Sequence, residues 1–131
     1  MTHIRISDAA ALLGVSDDTV RRMVDAGRLP SHHDDAGRLV VAGADLAAVA
    51  KEVARPAPVG AVADESARNR MRGIVTRVVT DTVMAQVELQ CGPFRVVSLM
   101  SREAVDELRL EVGSVAVASI KSTNVVVGVP Q

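Results

Sequence analysis

The chain has 131 residues, with 15 Lys plus Arg against 16 Asp plus Glu and a formal net charge of -1, so no global field draws it to nucleic acid or to a membrane surface. One Phe, no Tyr and no Trp leave its cores to be built from Val, Ala, Leu, Ile and Met, and remove the aromatic platforms on which single-stranded nucleic acid stacks. The lone Cys91 excludes an intrachain disulfide, the first seven residues lack the basic and apolar regions of a secretion signal, and no apolar run nears the roughly 18 residues of a membrane span. A cytoplasmic protein without membrane contact is expected. Composition shifts sharply near residues 55–65, which predicts two small domains, 1–55 and 66–131, joined by a flexible linker at 56–65. Domains of that size bury a modest fraction of their surface, so a partner subunit or ligand is expected to add stability.

In the first half, Ser7 or Asp8 is placed to cap a short helix through Leu13, which Gly14 ends. Ser16 caps a second helix at residues 17–26, with Asp17 and Asp18 in its first turn and Gly27 beyond its end. Two short helices joined by Gly14-Val15 make a helix-turn-helix. Residues 31–41, turning near Asp35-Ala36-Gly37, predict a two-stranded wing, and residues 45–53 a closing helix.

Ile6-Ser7-Asp8-Ala9-Ala10, Leu12-Leu13-Gly14-Val15-Ser16, Thr19-Val20-Arg21-Arg22 and Ala26-Gly27-Arg28-Leu29-Pro30 together resemble the excisionase and MerR-type winged helix-turn-helix family. The resemblance implies a second helix that enters the major groove of double-stranded DNA, making Thr19, Arg21 and Arg22 the candidate DNA contacts, with Arg38 as the wing's one fixed cation. The wing departs from the family pattern, because His32-His33-Asp34-Asp35 stands where basic residues are usual. The same four residues are metal-ligand types, yet adjacent loop residues do not converge on one ion without further ligands, so no metal site is assigned. Seven Lys plus Arg against eight Asp plus Glu in the first 55 residues leave no electrostatic footprint, so affinity has to come from paired copies or a few well-aimed arginines.

The linker, Pro56-Ala57-Pro58-Val59-Gly60-Ala61-Val62-Ala63-Asp64-Glu65, mixes structure-breaking prolines with small residues and reads as a tether spanning on the order of 20 Å. Beyond it the period becomes two. Val83, Ala85, Val87, Leu89 and Cys91 alternate with Met84, Gln86, Glu88 and Gln90, predicting a strand with one buried face, which Gly92-Pro93 turns into a second strand from Phe94. Ser101 caps a helix to Leu108 with Val105 and Leu108 on its apolar side, and residues 114–121 and 124–129 predict two more strands. Three strands, a helix and two strands are the layout of a small five-stranded OB-like barrel.

Ser66 and Arg68 precede the first strand, Lys121 and Ser122 occupy the bend between the last two, and Ser101 sits at a helix start. Hydroxyls and fixed cations at element ends are suited to an oxyanion. Ser66-Ala67-Arg68-Asn69 with Gly73, and Ile120-Lys121-Ser122-Thr123 with Val126, Val127, Gly128 and Val129, closely resemble the molbindin family of Mop or TOBE domains. The resemblance implies molybdate or tungstate as ligand, bound between subunits of a homo-oligomer, a dimer or a hexamer. By position it makes Ser66, Arg68, Ser101, Lys121 and Ser122 the oxyanion-binding residues. A further family serine is Ala104 here, where only the backbone N–H remains to donate.

The expected class is thus α+β: a winged helix-turn-helix followed by an OB-like Mop/TOBE barrel. No nucleophile, base and orienting group occur together, there is no phosphate loop, and no metal-ligand spacing recurs, so an enzyme is not expected, nor an organic cofactor. The function this combination implies is a molybdate-responsive transcriptional regulator. The alternative is a cytoplasmic molybdate or tungstate store with an auxiliary helix-turn-helix.

Overall fold

A computed structural model describes residues 2–60 and 65–131; the part of the expected linker at 61–64 lies outside the described residues. The chain divides into two compact units, Met1–Arg55 and Pro56–Gln131. None of the described helices is long and apolar enough to cross a membrane.

The first unit runs β1 (His3–Arg5), α1 (Ile6–Leu13), α2 (Asp17–Asp25), β2 (Ser31–His33), β3 (Leu39–Ala42) and α3 (Gly43–Val53). Gly14 takes φ 71° and its N–H closes onto Ala10 and Ala11, the left-handed stop that a glycine allows between two tightly joined helices. At the second helix, the Ser16 hydroxyl accepts from the Thr19 N–H at 3.2 Å, the capping contact its position predicts. The first helix differs from expectation. Its cap is Arg5, with no side-chain bond, rather than Ser7 or Asp8, because β1 leads straight into it and pairing with β3 fixes the entry. The sheet order is β1-β3-β2, all antiparallel, with β2 and β3 as the wing. Ile6, Ala9 and Ala10 from α1, Val20 and Met23 from α2, Leu29, Val41, and Leu46 and Val49 from α3 form the core. Each buried Val, Leu, Ile or Met contributes about 1.5–3 kcal/mol relative to exposure.

The second unit runs β4 (Asn69–Thr80), β5 (Met84–Cys91), β6 (Phe94–Ser101), α4 (Arg102–Leu108) and β7 (Val115–Ile120), then a 3-10 turn at Ser122–Asn124. Its strands form an antiparallel sheet in the order β6-β5-β4-β7. The predicted alternation holds along β5: Ala85, Val87, Leu89 and Cys91 are buried with Val75 and Val105, while Val83, just ahead of the strand, is exposed. Ser101 caps α4 as expected, its Oγ accepting from the Ala104 N–H at 3.1 Å. Leu108, expected on the apolar side, is exposed instead. Arg109, at φ 53°, turns the chain in the left-handed sense, and Leu110 takes up packing against the core while its N–H bonds the Val105 carbonyl at 3.1 Å.

The expected fifth strand is the main correction. Residues 122–124 form the 3-10 turn, and the chain beyond Asn124 is not paired into the sheet. Val126, Val127 and Val129 are 93%, 86% and 89% exposed. A run of β-branched valines favours extended backbone, but a strand exists only where a neighbouring edge accepts its hydrogen bonds, and a single copy provides none here.

Candidate functional site

The two ends of the β4–β7 ladder build the oxyanion candidate. Asn69 opens β4 opposite Ile120, the last residue of β7, and the Asn69 Nδ2 donates to the Ile120 carbonyl at 3.1 Å. That pin makes the residues just before Asn69 and just after Ile120 leave the sheet side by side. Ala67 is turned inward and buried, which leaves Ser66 and Arg68 on either side of it exposed. Lys121 and Ser122 are held by the following turn, where the Asn124 N–H bonds the Lys121 carbonyl at 2.9 Å and the Val125 N–H bonds the Ser122 carbonyl at 3.3 Å.

Ser66, Arg68, Lys121, Ser122 and Thr123 thereby line one depression of about 360 Å³. Two fixed cations and three hydroxyls converge on it, and the lining contains no carboxylate among the described residues. Such a donor set suits a compact oxyanion, since hydroxyls and guanidinium or ammonium groups donate and compensate charge while offering nothing to a cation. Thr123 joins the lining although sequence reasoning did not select it; its place directly after Ser122 in a turn was the available signal. The structural role of Asn69 was likewise missed, although it stands in the motif.

Ser101 is not part of that lining. It ends β6, the edge strand opposite β7, and its hydroxyl is occupied in capping α4. The same bond takes up the Ala104 N–H, the donor left at the position where the family serine is missing.

On the helix-turn-helix, α2 buries Val20 and Met23 and leaves Arg21 and Arg22 exposed, with no ion pair for either among the described residues. Thr19 is half-buried, and its hydroxyl lies 2.9 Å from that of Ser16, so it belongs partly to the cap. In the wing, the Asp34 Oδ1 accepts from the N–H groups of Ala36 and Arg38 at 3.0 and 2.9 Å, and its Oδ2 accepts from the Arg38 Nε at 3.0 Å. Asp34 is thus the brace of the wing turn rather than a carboxylate presented outward. These bonds from Arg38 and Ala36 hold its carboxyl below the usual aspartate range. The cost is that the guanidinium of Arg38 already has a partner.

Comparison with known proteins agrees with both halves. The helix-turn-helix domain family matches residues 4–53, and the TOBE domain family matches residues 65–127. A probable molybdenum-pterin-binding protein of Haemophilus influenzae is 46% identical over 65 residues, which are 49% of this chain and 94% of that protein. Among solved structures, MopII of Clostridium pasteurianum is 33% identical, aligned over 50% of this chain and 100% of its own, with a TM-score of 0.47. A molybdate-binding protein of Sporomusa ovata is 28% identical over 49% of this chain and 96% of its own, also at 0.47. The cytoplasmic molybdate-binding protein ModG, solved with molybdate bound, is 41% identical over 51% of this chain and 48% of its own, at 0.49. The chain joins an excisionase-type helix-turn-helix to a Mop/TOBE domain. It belongs, through that second domain, to the molbindin family.

Proposed function

We propose that this protein is a molybdate- or tungstate-responsive transcriptional regulator of the cytoplasm. The observation that carries the reading is the convergence of Ser66, Arg68, Lys121, Ser122 and Thr123 on one carboxylate-free depression in a chain that also carries a helix-turn-helix. The relatives named for binding molybdate support the choice of ligand.

In this reading Ser66, Arg68, Lys121 and Ser122 hold the oxyanion from one copy, and Ser101 reaches it from a second. The position of Ser101 on the opposite edge strand supports that division. So does the apolar surface left open in one copy, where Leu99 is 71% exposed and the terminal valines have no strand partner. A site shared between copies ties ligand level to assembly, by about 2.7 kcal/mol per site at ligand one hundred times its dissociation constant. The assembly presents paired α2 helices, with Arg21 and Arg22 as the DNA contacts, Thr19 contributing where its hydroxyl is released from the cap, and Arg38 reaching phosphate from the wing.

The bond between Arg38 and Asp34 favours a second reading, oxyanion storage, because it removes the wing's free cation. Operator fragments recovered from genomic DNA by the full chain decide between the two. The regulatory reading expects their affinity to change with molybdate in a binding titration, and equal affinity with and without the ion refutes it. Several ions bound per assembly, with no DNA retained at low salt, establish storage.

A further inference from the structure

Glu65 stands immediately before Ser66, so a carboxylate lies next to a site meant for a dianion. A free negative charge there opposes binding through a Coulomb repulsion that an open, solvent-facing site only partly screens. The structure shows where that charge is sent. The Arg70 Nε donates to the Glu65 Oε1 at 2.7 Å, and the Arg70 Nη2 reaches the Glu65 carbonyl at 3.4 Å. Arg70 and Ser119 are direct cross-strand partners on β4 and β7, one step along the ladder from the Asn69–Ile120 pin, and therefore share a face of the sheet. The Arg70 hydrogen bond holds the Glu65 carboxyl below the usual glutamate range. The guanidinium that does this is only about a third exposed. Arg68, two residues before Arg70, makes no ion pair among the described residues and lines the depression.

We propose that Arg70 is a positioning residue of the oxyanion site: it clips Glu65 onto the β4–β7 ladder, keeping a carboxylate off the ligand and off Arg68, and anchoring the backbone that enters Ser66. The inference rests on the oxyanion reading above. Two arginines separated by one residue then have opposite duties. Arg68 is left to meet the anion, and Arg70 is spent on Glu65, the acidic neighbour among the described residues that would compete for it.

Calorimetric titration of the full chain with sodium molybdate at neutral pH tests this in a charge cycle. Arg70→Gln releases Glu65 and weakens binding by about tenfold, the scale of one unit charge acting on a dianion several ångströms away across water. Arg70→Lys keeps the charge and stays close to the unaltered chain. Glu65→Gln alone binds at least as well as the unaltered chain, and Arg70→Gln combined with Glu65→Gln recovers most of the loss, which a merely structural role for Arg70 does not produce. Should Arg70→Gln fail to fold, Glu65→Asp, whose shorter side chain withdraws the carboxylate from the Arg70 Nε, replaces it and shows a smaller loss that Glu65→Gln does not. Unchanged affinity in the clip-breaking variant, or a double variant as weak as the single, overturns the proposal. An unaltered chain that takes up no molybdate overturns the oxyanion reading itself, and the clip's role with it.

Discussion

Lys121 and Arg68 do different work from Arg70, Arg72 and Arg95 of the second unit, and the difference lies in their partners. Arg95 is paired with Glu88, Arg70 with Glu65, and Arg72 donates to the Pro58 carbonyl at 3.2 Å, whereas Arg68 and Lys121 face the depression. A charge-assisted hydrogen bond to a ligand is worth about 1.5–3 kcal/mol. Arg68→Ala and Lys121→Ala are therefore expected to weaken molybdate binding by roughly 10- to 100-fold each, measured by calorimetry. Arg95→Ala, far from the ladder end in its contacts, leaves affinity unchanged. If the two site variants bind as tightly as the unaltered chain, the residue assignment fails. Ser101→Ala carries a double effect, the loss of the α4 cap at about 1 kcal/mol of stability and, where the site is shared between copies, a loss of affinity.

At the scale of elements, β4 is the strand on which the second unit depends, because it pairs with both β5 and β7 and follows directly on the Ser66 and Arg68 segment of the site. Gly73 shows how closely it is packed. A Cβ at that position would lie 2.5 Å from the Cys91 Sγ and 2.6 Å from the Gln90 carbonyl oxygen. The oxygen belongs to the backbone of β5 and cannot swing aside, so Gly73→Ala must push two paired strands apart. Overpacking of this kind costs about 1–3 kcal/mol, which for a domain this small lowers the thermal midpoint by several degrees in a circular dichroism melt. A Gly73→Ala protein that melts with the unaltered one would show the contact to be soft. A glycine inside an alternating strand was the sequence signal for such a close approach. The glycine appears in the family motif, but its neighbour across the ladder, Cys91, was visible only as an apolar position in phase with Val87 and Leu89.

Across the whole molecule, charge placement predicts the acid limit of stability. Among the described residues, four carboxyls lie below their ordinary values: Asp34 through Arg38, Glu65 through Arg70, Asp81 through the N–H groups of Met84 and Val83, and Glu88 through Arg95. Each favours the folded state while ionised, so its contribution is fully present above the ordinary values of 3.8 for aspartate and 4.5 for glutamate. It is lost as pH falls below them and through the depressed folded values. Thermal midpoints are expected to decline as pH is lowered through that window, with Asp34→Asn and Glu88→Gln each flattening the decline. Midpoints that hold level down to pH values near 3 would contradict it. Because the four groups are distributed over both units, the acid sensitivity is a property of each unit and not of one weak spot.

Much of this protein could be read before any coordinates. Ser16 and Ser101 are caps, Gly14 is a stop, and the alternation from Ala85 to Cys91 is a buried strand face; these are local matters, settled by what a hydroxyl, a missing Cβ or a two-residue period does to a few neighbouring residues. The order of elements, and the convergence of Ser66 and Arg68 with Lys121 and Ser122, were legible because two separated motifs of one family flank the intervening strands. Other features depend on partners distant in sequence. The three-residue β1 is too short for any period and exists because β3 accepts its bonds, while residues 124–129 have the valine-rich composition of a strand and lack an edge to join. The same rule governs the charges around the site. The family motif singled out Arg68, but nothing in the sequence showed that Arg70 holds Glu65 or that Asp34 braces its own wing, because a side chain's duty is decided by which opposite charge or donor the folded backbone brings within about 3 Å.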